Sequence, residues 1–302
     1  MKFGKLENIE KVNFQLPPEP AGNRAVLEKL ETGAPVFYIG CTGWSMKEWL
    51  GKIYPAGTKP VDFLKIYTRQ FNTIELNTTH YRIPDPATIL KWKAESAGDF
   101  KFCPKLPQII SHSGDLGVGS ENLSKFCASV QLLEEKLGCC FLQLPPYFGP
   151  DRLPVLARFL KNFPNHIPLA VELRHEDWFE KAENTDAVFS LFESLRIAPV
   201  ITDVAGRRDV LHMRLSSDKV LIRFVGNNLH PTDFQRLNQW AERLENWVKQ
   251  GLNEVYFFCH EPDNLLAPDL SVYLLSEIQK RNFAQTRGPK FIESGGEQMR
   301  LF

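Results

Sequence analysis

From residue 36 onward the chain alternates short apolar runs, rich in β-branched and aromatic residues, with spans of helical periodicity. The runs occupy residues 36–41, 73–77, 100–105, 139–144, 169–173, 199–203, 220–225 and 254–259. Helical spans read at 60–71, 86–97, 121–137, 152–162 and 186–195. Strands separated by helices are joined by crossovers and run parallel. Eight such strands within about 225 residues match a closed α/β barrel, the (β/α)8 TIM barrel. An open doubly wound sheet is the competing arrangement. It is disfavoured because no Gly-x-Gly-x-x-Gly follows the first run and because polar residues recur at many strand ends.

The sixth crossover is the irregular joint. Some sixteen residues separate Asp203 from Val220, enough for a two-turn helix at most, over about 209–215. Residues 1–34 form an N-terminal extension, broken at Pro17-Pro18-Glu19-Pro20 and carrying a short helix over 23–30. The barrel is expected over 35–285 and a tail over 286–302.

Lysine plus arginine equals aspartate plus glutamate, 36 each, so the chain is formally neutral. Neutrality argues against a protein built to grip a nucleic-acid backbone. The charged start is no secretory signal and no run of about twenty apolar residues exists, so the expected setting is cytoplasmic, with no membrane contact. The cysteines at 41, 103, 127, 139, 140 and 259 form no Cys-x-x-Cys pair and read as small buried hydrophobes.

A parallel barrel collects its functional groups where its strands end. Those ends supply Gly40 with Thr42-Gly43-Trp44, then Glu75 and Asn77, Lys105, Gln143, Glu172 with Arg174 and His175, Asp203, Arg223 with Gly226, and His260-Glu261. Side chains alternate along a strand, so Glu75 with Asn77, Cys103 with Lys105, and Glu172 with Arg174 each share a face. Glu75, Lys105, Glu172, Arg174 and Arg223 together carry three positive and two negative charges. They read either as a salt-bridge lattice plugging the barrel or as a ligand site. The ligand site is favoured because aromatic residues stand nearby and buried ion pairs are a poor source of stability. The surplus positive charge suggests an anionic or polyhydroxylated small molecule.

Glu75 or Glu172 would serve as general base if burial raised its pKa. His175 suits acid, base or metal ligand. Lys105 would act as base or imine former if desolvated, and otherwise pair with a carboxylate. Arg174 and Arg223 suit carboxylate or phosphate. Trp44, Asn77, Tyr81, Gln143, Trp178 and Asp203 complete the expected binding set. A zinc site drawn from His80, Glu172, His175, Asp203, His212 and His260 shows no metal spacing, so a divalent metal is the less favoured alternative. Motifs for serine hydrolases and phosphate-binding loops are missing. Trp92, Trp240 and Trp247 fall in helical spans and read as helix-to-barrel packing.

Ile39-Gly-Cys-Thr-Gly-Trp44, Phe71-Asn-Thr-Ile-Glu-Leu-Asn-Thr-Thr-His-Tyr81, Phe100-Lys-Phe-Cys-Pro-Lys105, Gln143-Leu-Pro-Pro146, Val171-Glu-Leu-Arg-His175 with Trp178, and Thr202-Asp203 resemble the YecE-like proteins, domain of unknown function 72. The likeness covers roughly residues 36 to 205 in order and implies a TIM barrel; it implies no particular reaction. The last third departs from the family pattern. Arg223-Phe-Val-Gly-Asn227 stands where Arg-Leu-His-Gly-Arg is expected, and Phe258-Cys-His-Glu261 where Phe-Asn-Asn is expected. The expected function is an enzyme of hydrolase, lyase or isomerase type using acid–base chemistry on a small polar molecule. The alternatives are a non-catalytic ligand-binding or regulatory barrel, and a metal-dependent phosphodiesterase resembling endonucleases.

Overall fold

The computed structural model describes residues 4–28 and 34–292. The last two residues of the helix expected over 23–30, and the tail beyond 292, lie outside the described residues. Eight parallel strands form the expected barrel: β1 (Val36–Cys41), β2 (Thr73–Leu76), β3 (Lys101–Pro104), β4 (Cys140–Gln143), β5 (Leu169–Glu172), β6 (Ala198–Asp203), β7 (Lys219–Val225) and β8 (Glu254–His260). Continuous ladders join them from β3 through β2, β1, β8, β7, β6 and β5 to β4. The β3–β4 seam is thinner, because Pro104 has no N–H to give a ladder. It closes through Gly138 N–H to Phe102 O, 2.8 Å, and Leu106 N–H to Phe141 O, 2.9 Å.

A ninth strand, β9 (Gln285–Arg287), was not expected from sequence; it pairs with the first half of β1, while β2 pairs with the second half. Arg287 donates to the carbonyls of Thr68, Arg69 and Phe71 and pairs with Asp99, which stitches the chain end to the barrel floor. The expected helix after β6 does not form. One 3-10 turn, Arg208–Val210, is followed by extended chain, leaving the irregular side foreseen at this crossover. The span expected as one helix over 121–137 splits into Glu121–Gln131 and a 3-10 turn at Glu134–Lys136.

Alternation along each strand creates two apolar zones. Cys103, Cys139, Phe141, Ala170, Val200, Leu221, Tyr256 and Phe258 fill the barrel interior. Larger clusters lie between strands and helices, including Trp240 and Trp247 of the helix Pro231–Gln250. All six cysteines are free and buried. Burial holds their thiols protonated, with Cys103 and Cys259 pushed up to about 12. Among the described residues no helix is long and apolar enough to cross a membrane.

Candidate active site

One step beyond the apolar interior, the same inward parity changes from carbon to charge. On β7, Leu221 is followed inward by Arg223; on β5, Ala170 by Glu172; on β8, Phe258 by His260; on β4, Phe141 by Gln143. Arg223 is fully buried and grips Glu75 with two hydrogen bonds, Nε to Oε2 and Nη2 to Oε1, both 2.9 Å. Its Nη1 donates to Glu172 Oε2 at 3.1 Å. Gln143 Nε2 donates to that same oxygen at 2.7 Å, and Lys105 Nζ donates to Gln143 Oε1 at 2.8 Å. On the other flank, Asn77 Nδ2 donates to Glu75 Oε1 at 2.8 Å, and His260 Nε2 lies 3.0 Å from Glu75 Oε2. An unbroken polar chain thus runs from Lys105 through Gln143, Glu172, Arg223 and Glu75 to His260.

The electrostatics reverse one expectation. Burial alone would raise the pKa of Glu75, but the Arg223 charge and then His260 outweigh it and hold the carboxyl well below the usual range. Glu172 moves the same way: burial opposes, and Arg223, Arg174 and the Gln143 hydrogen bond prevail. The raised pKa on which a base role for either carboxylate depends is not what the surroundings produce; both are ionised acceptors. An ionised Glu75 can only accept, so His260 presents its Nε2–H to Oε2. For Lys105 the same downward direction favours the neutral form. Burial, then repulsion from Arg223, lower its pKa to about 8, although Glu75 and Glu172 pull it upward. Burial also lowers Arg174, to about 10.

Above this layer lies a cavity of about 710 Å³ whose walls include Asn77, Tyr81, Lys105, Gln143, Arg174 and His260. Glu75, Glu172 and Arg223 form the stratum beneath it, and Arg174 Nε approaches Glu172 Oε1 at 3.6 Å. Glu172 Oε1 and the inward Thr202 hydroxyl are buried and make no hydrogen bond among the described residues. Tyr81 stands at the rim, 81% exposed. Burial lowers the pKa of the rim histidines His80 and His112, with Lys105 adding repulsion, so both sit neutral beside the amine.

Four expected residues are not brought to the cavity. Asp203 has the outward parity of β6, opposite to Val200 and Thr202; it pairs with Arg208 and accepts from Arg236 at 3.0 Å and Trp240 at 2.8 Å. Trp178 is fully buried in the outer core, donating to Phe148 O at 2.8 Å. His175, one step past inward-facing Arg174, turns toward Gly149 and Asp177. Trp44 packs edge-on against Trp92, with ring centroids 5.5 Å apart. His212, drawn into the zinc alternative, is buried between Phe179 and Phe189, and burial lowers its pKa to about 4. Among the described residues, the one trio of donors close enough to share a metal ion is Glu176, Asp177 and Glu180, exposed and outside the cavity walls.

Two residues read at the end of the eighth run, His260 and Glu261, stand outside the expected catalytic and binding set. His260 is signalled by parity alone, since Tyr256, Phe258 and His260 alternate inward. Glu261 follows it and accepts from the N–H groups of Asn228 (2.8 Å) and Leu229 (3.2 Å), two consecutive residues with left-handed backbone. Its carboxylate needs Gly226: a Cβ there would stand 2.6 Å from Glu261 Oε1. Burial raises the Glu261 pKa to about 7 despite these donors.

The family model for a protein of unknown function, DUF72, matches residues 38–291. The chain is 30% identical over 263 residues to UPF0759 protein YecE of Escherichia coli (strain K12), covering 81% of this chain and 93% of that protein. UPF0759 protein YunF of Bacillus subtilis (strain 168) is 27% identical over 251 residues, covering 75% and 86%. The fold is similar to that of a DUF72 family protein from Thermotoga maritima MSB8, with TM-score 0.66 and 22% identity over 81% of this chain and 99% of the other. One from Enterococcus faecalis V583 gives the same TM-score at 18% identity, covering 82% and 99%. The chain belongs to the DUF72 family, which includes YecE.

Proposed function

We propose that the chain is an enzyme that performs proton-transfer chemistry on a small anionic or polyhydroxylated molecule in the barrel mouth. The observation that carries this reading is Lys105, a 7%-exposed amine on the cavity wall with its pKa lowered to about 8. At pH 7 about a tenth of such an amine is unprotonated, roughly 200-fold more than for an ordinary lysine, and so it is matched to the work of a general base. His260, oriented by Glu75, is the second proton-transfer group. Arg174 receives the negative or hydroxylated end of the ligand. Glu75, Glu172, Gln143 and Arg223 are positioning residues that fix these groups and set their charge.

Small carboxylates, phosphates and sugars that stabilise the protein in thermal-shift assays would be followed by NMR in deuterated solvent for exchange or turnover. Lys105→Met and His260→Asn should each slow the reaction by about 100-fold while folding is kept. Full turnover by Lys105→Met would remove the base assignment. Binding without exchange or turnover of any ligand would favour the non-catalytic reading, which the mutually paired Glu75–Arg223–Glu172 layer also supports.

A further inference from the structure

The cavity is not walled by the barrel alone. Gly4, Lys5, Leu6, Glu7 and Ile9 line it together with Lys105, Arg174 and His260. These arm residues precede residue 38, where the match to the family model begins. The arm is seated at both ends of its course. At the mouth, Gly206 N–H donates to Gly4 O at 2.8 Å, and the backbones lie so close that a Cβ on Gly206 would stand 2.7 Å from that oxygen. Farther along, Phe14 lies under the guanidinium groups of Arg236 (4.8 Å) and Arg208 (5.6 Å), the two arginines held by outward-facing Asp203. Gln239 then accepts from Leu16 N–H at 3.0 Å. Glu19 pairs with Arg243, and Asn23 bridges Met213 O and Leu215 N. Among the described residues, only the Gly4–Gly206 contact holds residues 4–9 to the barrel by a backbone hydrogen bond.

We propose that residues 4–9 are a ligand-contacting wall, specific to this chain's extension, that places Lys5 opposite the barrel's own cations and restricts the cavity to small anions. A strongly seated stem, with a tip that has one backbone hydrogen bond to the barrel among the described residues, is suited to this. The stem fixes where the tip lies, and the tip can yield to admit a ligand and close over it. Lys5 adds a third cation to Lys105 and Arg174, Glu7 brings one anion with it, and the exposed Leu6 adds apolar surface to the wall. The inference concerns the same site as the proposed reaction but does not require that reaction.

The test reads the rate at which a small neutral acylating ester modifies Lys105, by peptide mass spectrometry, with exposed Lys65 as internal reference. Gly206→Val, which forces the arm off by the clash with Gly4, and deletion of residues 2–9, which leaves the Phe14-to-Asn23 anchors in place, should each speed Lys105 acylation at least ten-fold. Gly206→Val should cost stability in the full chain and none in the shortened one, because its clash partner is gone. Inorganic phosphate should slow Lys105 acylation in the full chain, and Lys5→Met should require at least five-fold more phosphate for the same protection. Equal Lys105 rates in all three proteins would overturn the proposal, as would phosphate protection that is absent or indifferent to Lys5→Met. A Lys105 that titrates as an ordinary lysine would instead defeat the base assignment and leave the comparison between arm variants intact.

Discussion

Arg223→Met is the perturbation that most directly probes the buried layer. Arg223 supplies three hydrogen bonds to two carboxylates that are 0% and 2% exposed, and its loss leaves both as buried anions. Removing one partner of a buried ion pair costs about 3–5 kcal/mol. Gln143, Asn77 and His260 still reach the orphaned carboxylates, so about 4 kcal/mol is the expected loss near pH 7.5. For a chain of this length that corresponds to a fall in Tm of roughly 8 °C. The sign with pH follows from linkage. In the parent, Glu75 and Glu172 have depressed pKa values, so their contribution is present above the unfolded carboxylate range and lost as pH falls through the folded values. In the variant the largest opposing charge is gone, so burial shifts both upward against what His260, Arg174, Gln143 and Lys105 still supply, and acidification relieves part of the penalty. The two stability curves must therefore converge between pH 7.5 and 5, as measured by urea denaturation followed by circular dichroism. Glu75→Gln and Glu172→Gln added to Arg223→Met should recover most of the loss, since no buried carboxylate is then left without its arginine. The same variant removes a repulsion from Lys105, so its acylation at pH 7.5 should slow, within a limit of roughly 200-fold set by a shift from about 8 to the ordinary lysine value. A deficit below 2 °C, or one that does not change with pH, would refute the reasoning.

Other positions give independent checks. Glu261 has a folded pKa raised to about 7, so its contribution to stability is present below the unfolded carboxylate range and is lost as pH rises through 7. The Tm of Glu261→Gln minus that of the parent should therefore grow between pH 5 and 8.5, and a constant difference would contradict the burial argument. Arg287→Ala should cost about 2 kcal/mol in urea denaturation, because it unties β9 from the carbonyls of Thr68, Arg69 and Phe71. An unchanged midpoint would show that the β1–β9 ladder holds without it.

The barrel was legible because its evidence is periodic: eight apolar runs, spaced by helices, leave few ways to bury both faces of a parallel sheet. β9 was not legible, since Gln285-Thr-Arg287 has no apolar alternation and is held by one arginine reaching backbone carbonyls. Within the site, parity worked wherever it was applied. Glu75, Lys105 and Glu172 were paired with their i±2 neighbours and all face inward. Asp203 was taken from its place at a strand end without that check, and it faces Arg236 and Trp240 instead. The protonation states could not be read in sequence, because they depend on Arg223 lying between two carboxylates that are 97 residues apart in the chain (Glu75 to Glu172).

The two departures from the family pattern gain meaning from register. Val225, where the resemblance expects histidine, pairs directly with His260 on β8, where it expects asparagine. Both positions have inward parity, and both line the cavity. An imidazole exchanged between register partners stays in the same layer of the barrel, because neighbouring strands lie about 4.8 Å apart. In this chain the relocated ring meets Glu75, which fixes its Nε2 proton, while Glu261 beside it is occupied in holding the loop after β7. This chain therefore presents a histidine on the cavity wall from β8 although the register partner on β7 is valine.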